Sequence, residues 1–356
     1  MADVERGTWR PSRTATPSEP TIPTFHAFAK EWWVLRESQW ARKTRLDYRW
    51  KLEHHLLPYF GQCRLGEIRV ADVERYAAAK LVEKPRPLSP RSVNATITLL
   101  GMILEAALDR DFIGRNPARG RGRKVRERAP RRTYLETAEQ IASLLDAAGE
   151  LDSSARADRR HVERRAILTA LTFAGLRISE LCALRWRDVD LDGGWLHVGE
   201  SKTDAGRRRL KLRPALLEQL VGIYEHLSDP STDSYVFQTR SGKRSSGDNI
   251  RSRVLKPAIV RANHNRRQHG QPPLPEGITP HSLRRTFASV LYALGEDPGI
   301  IMDEMGHSDP ALALRIYRQS MRRDEGEKTK LRVLLDAKTP AQNAPARRRW
   351  GDPRFR

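Results

Sequence analysis

The sequence has little aromatic content and few cysteines, and the shortage of cysteine excludes two classes of protein. The only cysteines, Cys63 and Cys182, are far apart and lack the spacing of metal ligands. A disulfide scaffold and a cysteine zinc site are therefore excluded. Aromatic residues make up 7% of the 356 residues, which is enough for ordinary hydrophobic cores. At about 150 residues per domain, this length predicts two or three domains.

Long apolar runs are missing as well. No stretch of about 18 apolar residues occurs, which argues against a membrane-spanning helix. Residues 1–20 lack an apolar segment, so we expect no secretory signal and a soluble protein in the cytoplasm. The sequence also has no Gly-rich phosphate loop and no Walker motif, so ATP use is not supported.

Negative charge is scarce relative to positive charge. The chain has 65 Lys+Arg against 44 Asp+Glu, a formal net charge of +21. This excess predicts a polyanionic partner, and nucleic acid is the common one. Residues 115–132 hold nine basic side chains and one acid, Glu127, among Pro and Gly. Such a run is typical of a solvated linker, and it could also cross a phosphate backbone.

Helical periodicity predicts a small all-α domain over residues 23–115, after a flexible N-terminus over residues 1–22. The first helix begins at Thr24, and its apolar stripe consists of Phe25, Phe28, Ala29, Trp32 and Trp33. For the second helix, residues 42–59, we expect a core face made of Leu46, Trp50, Leu56 and Leu57, with Leu52 on its flank. Two further helices are predicted over residues 70–82 and 89–108.

Residues 133–335 predict a second domain, mainly α with a small antiparallel β-hairpin, joined to the first by a linker over 116–132. Thr137 and Gln140 fit a capping box at its first helix. Strands are expected at Trp195–Val198 and Arg207–Leu212, with a turn at Asp204–Gly206. Further helices are predicted over residues 165–174, 179–187, 214–224, 247–263, 281–294, 297–305 and 310–319. Residues 336–356 predict a disordered basic tail.

Three places in this domain carry candidate chemistry. Gly175 is placed to end a helix, so Arg177 would project from the rigid corner before the next helix. His281 and Arg284 lie three residues apart on one helix face, about 5–6 Å apart at Cβ. If both are charged they repel each other unless an anion such as phosphate lies between them. Surface salt bridges and a plain helix-surface pair are the alternative interpretations.

The third place follows Gly306, which is placed to end a helix. Asp309 and Pro310 suit the start of another helix, and Tyr317 lies about two turns into it. A single tyrosine at such a position is usually a core or interface residue.

Taken together, these segments resemble the tyrosine site-specific recombinases, or phage-type integrases. The resemblance rests on GLRISEL (175–181), HSLRRTFAS (281–289), MGHSDP (305–310) and RIY (315–317), which occur in this order. It covers residues 130–320, and the preceding helical domain and basic linker look like the core-binding domain of the family. The fold that the resemblance implies is a two-domain clamp around DNA.

The resemblance also implies residue roles. Arg177 and Arg284 match the two arginines that hold the scissile phosphate, and His281 matches the histidine that contacts it and transfers protons. His307 matches the position that donates to the phosphate beside the nucleophile, and Tyr317 matches the nucleophile itself.

Two further positions have implied roles. Lys202 matches the lysine that protonates the leaving 5′ oxygen, with Lys211 as a nearby alternative. Glu180 matches a supporting acidic position. No cofactor, metal ion or ATP is implied.

The chemistry of these side chains agrees with the resemblance. Tyrosine has a pKa near 10, so about a thousandth of it is phenolate at pH 7. It attacks only if a base takes its proton and cations stabilise the developing charge, as guanidinium and imidazole groups do. No cluster of Asp and Glu for two metal ions is visible in the sequence, so hydrolysis by metal-activated water is not supported.

We therefore expect site-specific DNA recombination through a 3′-phosphotyrosyl intermediate, serving integration or excision of a mobile element or phage. Chromosome-dimer resolution is the alternative within the family. A topoisomerase with the same chemistry, a metal nuclease and a non-catalytic basic DNA-binding protein are the alternatives from outside it. The expected partners are double-stranded DNA, three further copies in a homotetramer on paired sites, and a directionality factor. We expect the protein at the nucleoid and away from membranes.

Overall fold

A computed structural model describes residues 22–120, 122–127, 133–155, 163–199, 208–227, 231–306 and 324–336. The chain forms two units, Met1–Pro130 and Arg131–Arg356. Each unit has its own hydrophobic core.

The first unit consists of helices at the four predicted places. Their bounds are α1 (Phe25–Arg36), α2 (Arg42–Lys51), α3 (Leu57–Phe60), α4 (Val70–Val82) and α5 (Pro90–Leu108). A π-helical turn, Leu52–Leu56, joins α2 directly to α3. Thr24 begins α1 by accepting a hydrogen bond from the Ala27 backbone N at 3.2 Å. Ser89 begins α5 in the same way, because serine and threonine oxygens satisfy the free amides of a first turn.

Helix α5 lies in the core of the first unit. By length and composition it is the one helix among the described residues that could cross a membrane, and 56% of its apolar window is buried. Its buried positions pack with Phe25, Phe28 and Trp32 of α1, none of which is more than 3% exposed. The apolar face of α5 is therefore covered by the other helices of its own unit.

Two residues that we predicted in this core lie outside it. Leu46 is 57% exposed and Trp50 is 49% exposed, whereas Leu52 and Leu56 are buried. The prediction was wrong because Leu46 and Trp50 do not share a helix face with Leu52 and Leu56. At about 100° per residue, Leu52 lies about 160° around the helix from Trp50, so burying Leu52 exposes Trp50. Trp50 stacks on the ring of His54 instead, with 5.4 Å between ring centroids.

Much of the basic segment predicted as a linker is held against the first unit. Within the described residues 116–120 and 122–127, Ala118 lies in the core of that unit. Asn94 of α5 donates to the Val125 carbonyl at 2.9 Å and accepts from the Val125 backbone N at 2.8 Å. Asn116 donates to the Gly101 carbonyl at 2.8 Å. These bonds fix the backbone of the segment beside α5.

The second unit is mainly helical. Its helices are α6 (Ala138–Ser153), α7 (Arg164–Phe173), α8 (Ile178–Ala183), α9 (Pro214–Glu225), α10 (Gly247–Asn249), α11 (Lys256–Gln268), α12 (Pro280–Ala293), α13 (Pro298–Met305) and α14 (Glu325–Asp336). A π-helical turn, Ile250–Leu255, joins α10 to α11. The predicted capping box is confirmed, because Thr137 accepts from the Gln140 backbone N at 3.2 Å. The helix predicted over residues 310–319 lies outside the described residues.

A small antiparallel sheet accompanies these helices. Its strands are β1 (Val189–Asp190), β2 (Trp195–Val198) and β3 (Arg208–Lys211), in the order β1-β2-β3. Leu196 pairs with Leu210 across the predicted hairpin, and both side chains are buried. Strand β1 was not predicted, because two residues are too short to show alternation. The turn predicted at residues 204–206 lies outside the described residues.

Two helices form the centre of the second core. Every residue of α7 from Ala166 to Phe173 is buried, and so is nearly all of α12 from Ser282 to Ala293. Both helices are therefore covered on nearly all sides by the rest of the unit. Helix α14 packs on the same core through Leu331 and Leu335. A carboxylate oxygen of Glu327 in α14 also accepts from the first backbone N of α6.

A sharp turn follows α7, at Gly175. Its φ of +58° lies in the left-handed region, which costs an L side chain about 1–2 kcal/mol. A Cβ at this position would overlap the ring of Phe287 and lie 3.0 Å from the sulfur of Met305. Only glycine lets the chain turn here while α12 and α13 remain packed against it.

Replacing Gly175 with alanine is therefore expected to lower the free energy of unfolding by about 2–4 kcal/mol, through backbone strain and overpacking. Urea denaturation of the full chain measures this change. Gly222→Ala is the matched control, because Gly222 lies in α9 and a Cβ there meets nothing within 4 Å. The control is expected to leave stability unchanged or raise it by about 1 kcal/mol. Equal losses for both variants would contradict this account.

Candidate active site

The turn at Gly175 positions Arg177 immediately before α8. Glu180, in the first turn of α8, accepts from the Arg177 backbone N at 2.9 Å. The Arg177 guanidinium then donates to Glu180 at 2.6 Å and to the Gly306 carbonyl at 2.7 Å. Its side chain is 35% exposed, so part of the guanidinium remains open to solvent while two contacts hold it.

Arg284 approaches the same place from α12. Thr279 begins that helix by accepting from the Ser282 backbone N at 3.2 Å. The Arg284 side chain is 1% exposed and donates to the carbonyls of Gly175 and Met305. Burial, together with the charges of neighbouring arginines, lowers the pKa of Arg284 to about 9. The guanidinium therefore stays charged at pH 7, and nearby negative charge balances it only in part.

Glu180 is the one carboxylate among these arginines in the described part of the chain. Its side chain is 2% exposed, and Arg208 reaches it from β3 with 2.9 Å between the Arg208 Nη2 and the Glu180 Oε2. The nearest Arg284 nitrogen lies 4.0 Å away. Burial acts to raise the pKa of Glu180, but the hydrogen bonds and charges of Arg208 and Arg177 outweigh it and lower the pKa. The carboxyl group is therefore ionised.

The end of α13 binds the same arginines through its backbone carbonyl groups. The carbonyl of Glu304 accepts from Arg208 Nε at 2.6 Å. The next two carbonyls, of Met305 and Gly306, accept from Arg284 and Arg177. Gly306 ends the helix in a left-handed conformation, with φ +55°. The C-terminus of a helix carries partial negative charge, so it is a favourable anchor for guanidinium groups.

His281 lies one turn before Arg284 at the start of α12, where solvent still reaches the residue. Partial burial lowers the pKa of the imidazole, and the charges of Arg285, Arg284 and Arg177 lower it further. His281 and Arg284, three residues apart, share one face of α12. In the free protein the imidazole is neutral at pH 7.

The structure thus brings Arg177, Glu180 and Arg284 together, with His281 beside them. The other three predicted site residues, Lys202, His307 and Tyr317, lie outside the described residues. His307 directly follows Gly306, whose carbonyl binds Arg177. Lys211, the alternative to Lys202, is exposed in β3.

Sequence reasoning missed Arg208, Arg213 and Glu304. Arg213 pairs with the Glu304 carboxylate at 3.2 Å, and burial raises the pKa of that carboxyl group. A signal for Arg208 was present in the strand pattern. Side chains alternate along a strand, so Arg208 shares a face with Leu210, which is buried. An arginine on the buried face of a strand needs a partner inside the protein.

The cluster has the chemistry of an anion site. Three arginines and one carboxylate leave a net positive charge, and Arg177 is open to solvent. Arginine suits a phosphate because its planar fork matches phosphate geometry and keeps its proton. Among the described residues, no group of three or more His, Cys, Asp or Glu side chains could hold a metal ion.

The sequence is similar to proteins of known families. The profile of the phage integrase family matches residues 136–323, and that of the phage integrase N-terminal SAM-like domain matches residues 24–81. The phiRv2 prophage integrase of Mycobacterium tuberculosis is 26% identical over 339 residues, covering 90% of this chain and 81% of that protein. The tyrosine recombinase XerC of Xanthomonas campestris is 29% identical over 249 residues, covering 69% and 70%.

Solved structures share the fold. The Tn1549 transposon integrase in complex with circular intermediate DNA superposes with a TM-score of 0.66 and 20% identity, over 84% of this chain and 99% of that one. The lambda integrase tetramer bound to a Holliday junction gives 0.64 and 19%, over 91% and 85%. The phage integrase profile alone covers more than half of the sequence. The chain therefore belongs to the phage integrase family, the tyrosine site-specific recombinases.

Proposed function

We propose that this recombinase cuts and rejoins DNA at the cluster of Arg177 and Arg284, with Tyr317 as the nucleophile. The observation that carries the proposal is the convergence of both guanidinium groups on consecutive carbonyls, those of Met305 and Gly306, directly before His307. Two arginines fixed on one turn can bind one phosphate. The family motif supplies a tyrosine ten residues after that histidine.

The described contacts support a phosphate clamp. A guanidinium has five N–H donors, and the contacts described above use two of those of Arg177 and two of those of Arg284. Arg177 is the more open of the two, and we assign it to a non-bridging oxygen of the scissile phosphate. Arg284, anchored inside the protein, supplies charge next to it. Fixed donors of this kind stabilise developing charge without having to reorganise.

The cleavage step follows from this clamp. The Tyr317 hydroxyl oxygen attacks phosphorus while a base, His281 or a water held by it, takes the phenolic proton. The bond from phosphorus to the 5′ oxygen breaks, and Lys202 gives a proton to that leaving oxygen. The 3′ end of the cut strand is then esterified to Tyr317, and His307 donates to a phosphate oxygen throughout.

The covalent ester makes the reaction reversible. Its phosphorus–oxygen bond replaces the one that was cut, so a 5′-hydroxyl from another duplex can attack it and regenerate a phosphodiester. No ATP is consumed, because the bond energy is kept in the ester. In this scheme the guanidinium and imidazole groups supply all of the electrophilic assistance.

Integration or excision of a mobile element fits the relatives best. The similarity to the phiRv2 prophage integrase extends over 90% of the chain. The similarity to the Xanthomonas campestris XerC covers 69% of it. We therefore place chromosome-dimer resolution second.

We also propose the assembly in which the reaction takes place. The two units would clamp a DNA duplex between them, with the basic segment 116–132 along the phosphate backbone, and four copies would act on two paired sites. The net charge of +21 supports DNA binding. The tetramer of lambda integrase on a Holliday junction supports the copy number. A directionality factor and a location at the nucleoid in the cytoplasm belong to the same proposal.

Tyr317→Phe is expected to abolish covalent protein–DNA adducts while DNA binding stays unchanged, because the variant loses only the attacking oxygen. Adducts are trapped on a nicked suicide substrate made from DNA that flanks the gene, and they are counted on a denaturing gel. Tyr224→Phe is the matched control, since Tyr224 is partly buried and packs on Trp186, with 5.1 Å between ring centroids. Adducts that persist in Tyr317→Phe would disprove the nucleophile assignment.

Cleavage is expected to proceed in EDTA at an unchanged rate, because arginine and histidine side chains stabilise the charge in this scheme. The same suicide substrate, incubated with and without the chelator, tests this. A loss of adducts that returning Mg²⁺ restores would favour the metal nuclease instead.

The pKa of His281 is expected to rise when DNA binds. In the free protein, burial and the nearby arginines hold it below the ordinary value of 6.5. A bound phosphate adds negative charge, which favours the protonated imidazole. Histidine-labelled NMR titrations of the free Tyr317→Phe protein and of its DNA complex measure both midpoints, and His281→Gln assigns the signal. A midpoint that stays constant or falls on binding would contradict the placement of His281 at the phosphate.

A further inference from the structure

Arg208 is the third arginine of the cluster, and no family motif described above includes it. It begins β3, and its side chain is 6% exposed. Its two terminal nitrogens bind the two Glu180 oxygens, at 3.2 Å and 2.9 Å. Its Nε donates to the Glu304 carbonyl at 2.6 Å. These contacts turn the side chain toward Glu180 and the end of α13.

The negative charge of Glu180 lies next to Arg177, and Arg208 can neutralise it. The carboxylate lies 2.6 Å from Arg177, and it holds Arg177 through both the backbone and the side chain. If it had no other partner, its negative charge would cancel most of the positive charge that Arg177 offers to a phosphate. The contact that orients Arg177 would then also weaken it.

A count of the charges in the cluster shows how the loss of positive charge at Arg177 is avoided. Arg177, Arg208 and Arg284 contribute three positive charges and Glu180 contributes one negative charge. The Glu304 carboxylate is paired separately with Arg213. The remainder is two positive charges, whereas without Arg208 it would be one. The scissile phosphodiester begins with one negative charge, and attack by the tyrosine oxygen brings further negative charge onto the phosphoryl group.

We propose that Arg208 is a positioning residue that neutralises Glu180, so that Arg177 and Arg284 present two uncompensated charges to the phosphate as it is cleaved. The proposal rests on the function proposed above. It predicts an effect on the chemical step rather than on DNA binding, because a charge matched to the transition state acts mainly there.

The test measures the rate of covalent capture on the suicide substrate at saturating DNA. Arg208→Gln is expected to slow capture about a hundredfold, the size of effect seen when one preorganised donor is lost. DNA affinity is expected to change by less than about threefold, because the exposed basic surface that dominates affinity is untouched. Arg165→Gln is the matched control, since Arg165 pairs with Asp146 at the surface.

A double variant separates charge from shape. Glu180→Gln removes the negative charge and keeps an oxygen that can accept from the Arg177 backbone N. In Arg208→Gln/Glu180→Gln the cluster again has two positive charges. We expect the double variant to be about tenfold faster than Arg208→Gln alone, a non-additivity that marks direct coupling between the two residues. A double variant no faster than Arg208→Gln would overturn the proposal.

Arg208→Lys gives an independent measurement in case the glutamine variant unfolds. Lysine keeps the charge and loses the two-pronged geometry, so capture within about tenfold of the parent supports a role through charge. If capture by Arg208→Lys is instead about a hundredfold slower than in the parent, as expected for Arg208→Gln, the proposal is overturned. Thermal melting of each variant identifies any that is unfolded. If the parent itself forms no adduct, the proposed function fails, whereas a parent that forms adducts with no effect of Arg208→Gln refutes this inference only.

Discussion

This active site depends on the buried carboxylate of Glu180, which binds more than one arginine. A lone carboxylate at 2% exposure would be protonated or would disrupt the core. Here it is ionised because Arg208 and Arg177 bind it directly. Removing one partner of such a buried ion pair costs about 3–5 kcal/mol, since an uncompensated charge is left behind. The residues of the cluster are therefore coupled, so that a change at one of them affects the others.

The surrounding fold makes this cluster possible. Helices α7 and α12 are buried on nearly all sides and form the centre of the second core. They place Gly175 and Arg284 in contact without requiring either to be near the other in sequence. Helix α13 then offers three successive carbonyls, from Glu304 to Gly306, to three arginines. A rigid apolar interior thus ends at a row of backbone acceptors, where charged side chains can be fixed.

The segment that carries the predicted nucleophile is bounded by elements of the same unit. Before it, α13 is held by the arginines through its last carbonyls. After it, α14 packs on the core through Leu331 and Leu335 and contacts the start of α6 through Glu327. Residues 307–323 therefore connect two points that are both anchored to the second unit.

The sequence by itself determined the local structure and the family. Caps such as Thr137, helix ends such as Gly306, and the alternation in β2 and β3 follow from short-range rules, and the order of four short motifs identified the recombinases. At Leu46 and Trp50 the predicted pattern failed, because the core of the first unit buries another side of this helix, through Leu52 and Leu56. What only the tertiary structure decided is the environment of Glu180. Arg208 and Arg284 are 28 and 104 residues away from Glu180 in the chain. Their approach to one carboxylate depends on a strand and two helices that meet only in the folded protein, which no pattern of spacing records.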